Sequence, residues 1–190
     1  MFASSAPMFA LIGLFAAATL ATPTPRVHSL ARDIPESIAN ATALGINVYG
    51  HIPDDAVKIG ESSYSAEVGT LAHAWIRAQI DIDWASESAR DAAKMAKREL
   101  AHIGIGMWTQ DWCNGNNVWH DDVQYNVHHI SNLNMYSVGI SYRGIRDNEH
   151  LDFSKFKGSD HCGQYAYSAG RLTPTGCFNS QAINCFRLWY

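Results

Sequence analysis

Nine histidines are spread over the 190 residues, and several stand beside carboxylates. The runs His120-Asp121-Asp122, His128-His129 and Asp160-His161-Cys162 bring imidazole, carboxylate or thiol groups close together in sequence. Imidazole titrates near neutral pH, and a His–carboxylate or two-His pair can run hydrolytic acid–base chemistry. The candidate catalytic set is therefore His120, Asp122, His128, His129 and Glu149. On a strand, His120 and Asp122 share a face, whereas the adjacent His128 and His129 point to opposite faces. Neither H-E-x-x-H nor C-x-x-C occurs, so no metal site is expected. A G-x-S-x-G elbow is also missing. Gly104-Ile105-Gly106 lacks the rest of a nucleotide-binding fingerprint, so no cofactor is expected.

The tryptophans offer different chemistry. Trp108, Trp112 and Trp119 fall within twelve residues. If Ile105–Trp112 is one strand, Trp108 and Trp112 lie on the same face, about 13 Å apart. Such a row could stack on sugar rings, with Asn114 or Asn116 at its rim, or it could be core. The Trp parity, Gly106, Trp108, Gln110 and Trp112, holds one polar residue. The expectation is therefore a buried Trp108 and a Trp112 at most partly exposed, both under the helix that carries Ala92, Ala96 and Leu100.

The elements that must position these groups follow from pattern. Thr70–Ile82 alternates apolar even positions with mostly polar odd ones, which predicts a half-buried strand. The alternative is a helix with Leu71, Ala74, Trp75 and Ala78 on one face. After Ser86, a stripe of Ala89, Ala92, Ala93, Ala96, Leu100 and Ile103 predicts the main helix, with Lys94, Lys97 and Arg98 near its C-terminal end. Short β-like runs follow: Ile105–Trp112, Val118–Tyr125, Met135–Tyr142, Gly163–Ser168 and Ala182–Trp189. Asn114-Gly115-Asn116-Asn117 reads as a turn between the first two. Gly139 and Ser141 alternate with Val138, Ile140 and Tyr142, so another layer should approach that small-residue face closely. The fold class expected is α+β, one main helix packed on an antiparallel sheet in a single compact domain.

Composition bounds the rest. Hydrophobic residues make up 47% of the chain and charged residues 17%, which excludes a disordered chain. A net charge of −4 gives no support to nucleic-acid binding. Residues 8–21, MFALIGLFAAATLA, form an apolar run before the first charge at Arg26. They are too short to span a bilayer and end in small residues suited to signal-peptidase cleavage. Residues 1–21 are expected to be a signal peptide, 22–44 a flexible leader or arm, and 45–190 the folded domain. No later run could cross a membrane, so a secreted, extracellular protein with no membrane partner is expected. Asn40-Ala41-Thr42 is a candidate glycosylation site at Asn40. Four cysteines, Cys113, Cys162, Cys177 and Cys185, predict two disulfides in that compartment. Of the three pairings, Cys177–Cys185 with Cys113–Cys162 is favoured, followed by Cys113–Cys185 with Cys162–Cys177.

The runs Ser137-Val138-Gly139-Ile140-Ser141-Tyr142-Arg143-Gly144, Leu151-Asp152-Phe153-Ser154 and Ile183-Asn184-Cys185-Phe186-Arg187-Leu188-Trp189 carry a resemblance. Residues 100–190 resemble small secreted, cysteine-containing proteins of filamentous ascomycete fungi, some of them effector candidates. The resemblance implies a fungal origin, secretion and an oxidised fold, and it brings no active-site residue. The functional expectation is a secreted effector- or toxin-like protein that binds a host protein or glycan. The alternatives are a His/carboxylate hydrolase and a carbohydrate-binding module.

Overall fold

The computed structural model describes residues 34–95 and 103–190. The apolar leader 1–21, part of the arm 22–44, and Ala96, Lys97, Arg98 and Leu100 of the expected main helix lie outside the described residues. Within the arm, Glu36–Ala43 forms helix α1 with Ala41 buried, so the folded part begins before residue 45.

An antiparallel sheet dominates. Its strands are β1 (Val57–Lys58), β2 (Ser63–Ala66), β3 (Gly104–Gln110), β4 (Asn114–His120), β5 (His128–Ser141), β6 (His150–Lys157), β7 (Asp160–Ala169) and β8 (Gly176–Trp189), in the order β1-β2-β4-β3-β5-β8-β6-β7. Two further helices, α2 (Leu71–Asp81) and α3 (Glu87–Met95), complete the described elements. The architecture is an eight-stranded sheet with three helices, richer in sheet than one helix on a sheet would be.

The segment expected as a strand is helix α2, and it is the helix that covers the sheet. Its buried residues Ala72, Trp75, Ile76, Gln79 and Ile80 repeat at three and four, the helical interval. The alternating pattern misled because Ala74 and Ala78 fit either period. The helix start is over-determined. Thr70 Oγ1 accepts from the His73 N–H at 3.1 Å, and the Asp55 carboxylate accepts from the Leu71 and Ala72 N–H groups at 2.6 and 2.8 Å. Trp75, Ile76 and Ile80 pack with Trp108 and Trp119 of the sheet. Ala78 and Ile82 join Ala89 and Ala93 of α3 and Ala41 of α1 in another cluster. So α3, the expected main helix, buries its alanines against α2 and not beneath the tryptophan row.

Glycines make room for the indoles. A Cβ at Gly106 would lie 2.4 Å from the Trp108 ring, and one at Gly139 would lie 2.5 Å from Ile80 and 2.8 Å from Trp108. The close layer expected over Gly139 is therefore α2 with Trp108. The opposite sheet face carries the largest core cluster, including Ile105, Met107, Val138, Ile140, Phe153, Phe186 and Leu188.

Two irregularities break the ladders. β3 ends at Gln110, and a 3-10 turn over Asp111–Cys113 leads into β4, which already starts at Asn114. The Asn114–Asn117 run is thus strand, not turn, and Trp112 sits on the turn, 66% exposed. The expected burial of Trp112 fails because the strand ends two residues before it. The second irregularity is in β5. Between the pairs Ile130–Cys185 and Met135–Ile183, β5 spends five residues against two of β8; before Ser137–Asn179, β8 then spends four against two. These opposed bulges bend both strands sharply.

The disulfides are Cys113–Cys177 and Cys162–Cys185, the third of the three pairings. Both expected pairings misplace the two cysteines of β8, the first by joining them and the second by exchanging their partners. Cys177 and Cys185 are eight residues apart on the single strand β8, roughly 26 Å if extended. They cannot bond to each other, and each bonds to what lies at its own end.

Trp108 has no exposed surface and fills the space between sheet and α2. Trp108→Ala should therefore cost about 3–5 kcal/mol in chemical denaturation, as truncation of a large core side chain does. An unchanged denaturation midpoint would refute this packing.

Candidate functional site

The bend in β5 builds the one place where candidate residues meet. By strand register His120 aligns with Ile105, and Ile105 with Ile140. His129 lies eleven residues from Ile140, so a straight β5 would hold it roughly 36 Å away along the strand. Instead the His129 and His120 Nδ1 atoms are 3.2 Å apart and their ring centroids 4.5 Å. Both rings rest on Phe186, His129 stacked at 4.8 Å and His120 edge-on at 5.2 Å. Ser63, the cross-strand partner of His120, places its Oγ 2.8 Å from His120 Nδ1.

This Ser63–His120–His129 group forms the floor of a cleft of about 360 Å³. Glu61, Asp122, Gln124 and His128 line it as well. The aliphatic side chains Ile59, Val127 and Ile130 complete its walls, yet they are 50%, 42% and 42% exposed. Of the five candidate residues, His120, Asp122, His128 and His129 therefore share one cleft. His128 and His129 both line it although they are neighbours on a strand, because the cleft opens at the start of β5 where the ladder begins.

Glu149 does not belong to it. Its carboxylate is buried and takes bonds from both Nη atoms of Arg143 at 2.7 and 2.8 Å, from the Arg146 N–H at 2.8 Å, and from the Tyr125 hydroxyl. Burial alone would raise its pKa, but these bonds outweigh it and hold the carboxyl at about 2. Glu149 is a structural anchor that ties the β5–β6 connection to Tyr125.

Electrostatics decide what the cleft can do. Burial first, and the neighbouring His129 second, push His120 down to about 3. Burial likewise pushes His129 to about 4, opposed by a bond to the Gln124 backbone and aided by His128. Both imidazoles are neutral at pH 7. Their Nε2 atoms are buried and without a hydrogen-bond partner among the described residues. Among the described residues no group of three or more His, Cys, Asp or Glu side chains is placed to hold a metal ion.

Sequence reasoning missed Ser63 and Glu61. Ser62-Ser63 carries no motif, and only the β2–β4 register sets Ser63 opposite His120. Asn40 lies on α1 with its side chain exposed, while the Thr42 hydroxyl donates to the Ile38 carbonyl at 2.8 Å.

The depressed imidazoles make stability pH-dependent. Unfolded histidines bind protons near pH 6.5, whereas folded His120 and His129 wait until about 3 and 4. Between these values the unfolded state holds more protons, so stability falls as pH drops. At pH 4.5 each imidazole should remove about 2–3 kcal/mol relative to pH 7. Glu149 loses its contribution only below about 4.5, so the window from 6.5 to 4.5 reports histidine. Denaturation midpoints should fall across that window, and less steeply in His129→Gln. A flat profile in the wild type would contradict the buried neutral pair.

No family model, no curated protein and no solved structure matches the chain.

Proposed function

We infer that the chain is a secreted binding protein of the effector- or toxin-like kind, which docks a host or neighbour protein in the histidine cleft and does no chemistry there. The observation that carries this reading is the composition of the cleft. Three large aliphatic side chains stand exposed around a concave cleft that Glu61, Asp122 and Gln124 also line, the arrangement of a surface kept for a partner. Two disulfides, and the lack of a helix long and apolar enough to cross a membrane among the described residues, are compatible with a secreted protein.

One observation favours a second reading, a hydrolase. Ser63 Oγ lies at hydrogen-bond distance from His120 Nδ1, as a nucleophile and its base would. Electrostatics weigh against it. A general base must become imidazolium in the transition state, and a carboxylate partner normally stabilises that charge. Here the ring beside His120 is another imidazole, and among the described residues no carboxylate hydrogen-bonds to either. A site that holds its base at about 3 disfavours the proton transfer it would need.

The test changes only exposed positions. The triple variant Ile59→Ser, Val127→Ser, Ile130→Ser should keep the melting temperature within a few degrees, since surface substitutions seldom exceed about 0.5 kcal/mol each. Applied to plant tissue, the wild-type protein should evoke a response that this variant loses. A retained response would place recognition elsewhere. Turnover of an ester, peptide or glycoside that disappears in Ser63→Ala would replace the binding reading with the hydrolase.

A further inference from the structure

Among the described residues Trp112 is the most exposed aromatic side chain after Tyr190, yet its backbone is held in an uncommon conformation. Its φ is +57° and that of Cys113 is +54°, a left-handed pair that non-glycine residues rarely adopt. Such a conformation persists only where the surroundings over-determine it. Here the Trp112 N–H donates to Asn179 Oδ1 at 2.6 Å, and the Cys113 N–H donates to Ser137 Oγ at 2.8 Å. The Ser137 hydroxyl donates in turn to the Gln110 carbonyl at 2.5 Å, and Cys113 is bonded to Cys177. A turn that only had to join β3 to β4 would need none of this. The Asn114-Gly115 pair just downstream is better suited to a tight hairpin.

The restraint holds an indole out in solvent, touching no other aromatic ring among the described residues. Amides surround it. Asn179 bonds the Trp112 backbone through Oδ1, which leaves its Nδ2 facing elsewhere, and Gln110 and Asn114 are cross-strand partners at the foot of the turn. All three are exposed. A protein-binding hot spot would sit inside an apolar seal that excludes water. Trp112 stands between Asp111 and the disulfide-bonded Cys113, with exposed Gln110 and Asn114 at the ends of the turn. A rigid indole face takes the C–H face of a sugar ring, and fixed amides both donate to and accept from hydroxyls.

We propose that Trp112, with Gln110, Asn114 and Asn179, is a carbohydrate-binding platform for a neutral pyranose unit of an oligosaccharide. It shares no residue with the histidine cleft, so either site can fail without the other.

The probe is an array of neutral oligosaccharides, with glucan, cellulose, chitin, mannan and xylan fragments, followed by titration of the best ligand against the whole protein. Trp75, Trp84, Trp108 and Trp119 are buried and Trp189 is half-buried, so the part of the acrylamide-accessible fluorescence that Trp112→Tyr removes reports Trp112. A binding oligosaccharide should shield it. Trp112→Ala should weaken binding at least tenfold with the melting temperature nearly unchanged, Trp112→Tyr should keep most of it, and Asn179→Ala should weaken it several-fold. No ligand on the array at millimolar concentration overturns the proposal. So does binding that survives Trp112→Ala, unchanged quenching in the complex, or a protein ligand that needs Trp112 while no oligosaccharide does.

Discussion

Everything in the sheet's second half depends on the bend that opposed bulges put into β5 and β8. Without it β5, fourteen residues long, would run straight past the end of β3 and draw its partner Phe186 of β8 away from the core. With it the start of β5 returns over the face of Ile105, Met107 and Val138, and the main apolar cluster closes. The same return carries His129 to His120. Core and cleft are thus consequences of one event. Asn184 sits in the bend, fully buried, and its side-chain amide has no partner among the described residues. A polar group is tolerated there because a regular ladder is already broken on both strands.

The bend explains what could and could not be read from the sequence. Local patterns were legible. The strands around Met107, Val138 and Ile183 showed as short β-like runs, and the small residues at Gly139 and Ser141 announced a close layer, which α2 and Trp108 supply. The burial of Trp108 followed from parity alone. Alanine defeated the period at 71–81, since its small side chain fits a helix face or a strand face equally. Whatever depends on pairings far apart in the chain was illegible. Bonding Cys113 to Cys177 requires that β8 be one strand, and joining His120 to His129 requires that β5 be bent. The one local hint of the bend is Ser131-Asn132-Leu133-Asn134, two asparagines inside a strand, where they are disfavoured.

The same physics separates the five candidate residues. A carboxylate such as Glu149 can be buried when Arg143 and Tyr125 meet it, and it then becomes a fixed brace with no spare capacity. An imidazole can be buried more cheaply, by staying neutral. His120 and His129 do so, and acid stability is the cost. Their rings floor the cleft without adding charge, while Ile59, Val127 and Ile130 supply its apolar walls. The carboxylates of the cleft, Glu61 and Asp122, belong to its lining outside that floor.

Both disulfides stand at the irregularities. Cys113–Cys177 closes the turn that bears Trp112, and Cys185 of the other bridge is the partner of Ile130 at the edge of the bend. Two adjacent left-handed residues cost about 1–3 kcal/mol each. Cross-links spanning 64 and 23 residues restrict the unfolded chain by about 4 and about 3 kcal/mol in the loop-entropy account. The first figure is of the size needed to offset the turn, and the turn's hydrogen bonds supply the direction that entropy cannot. A chain this long can fold on its apolar core alone. Its cross-links are therefore best understood as local restraints, placed where the backbone departs from the ladder, at the turn that bears Trp112 and beside the bend that carries His129.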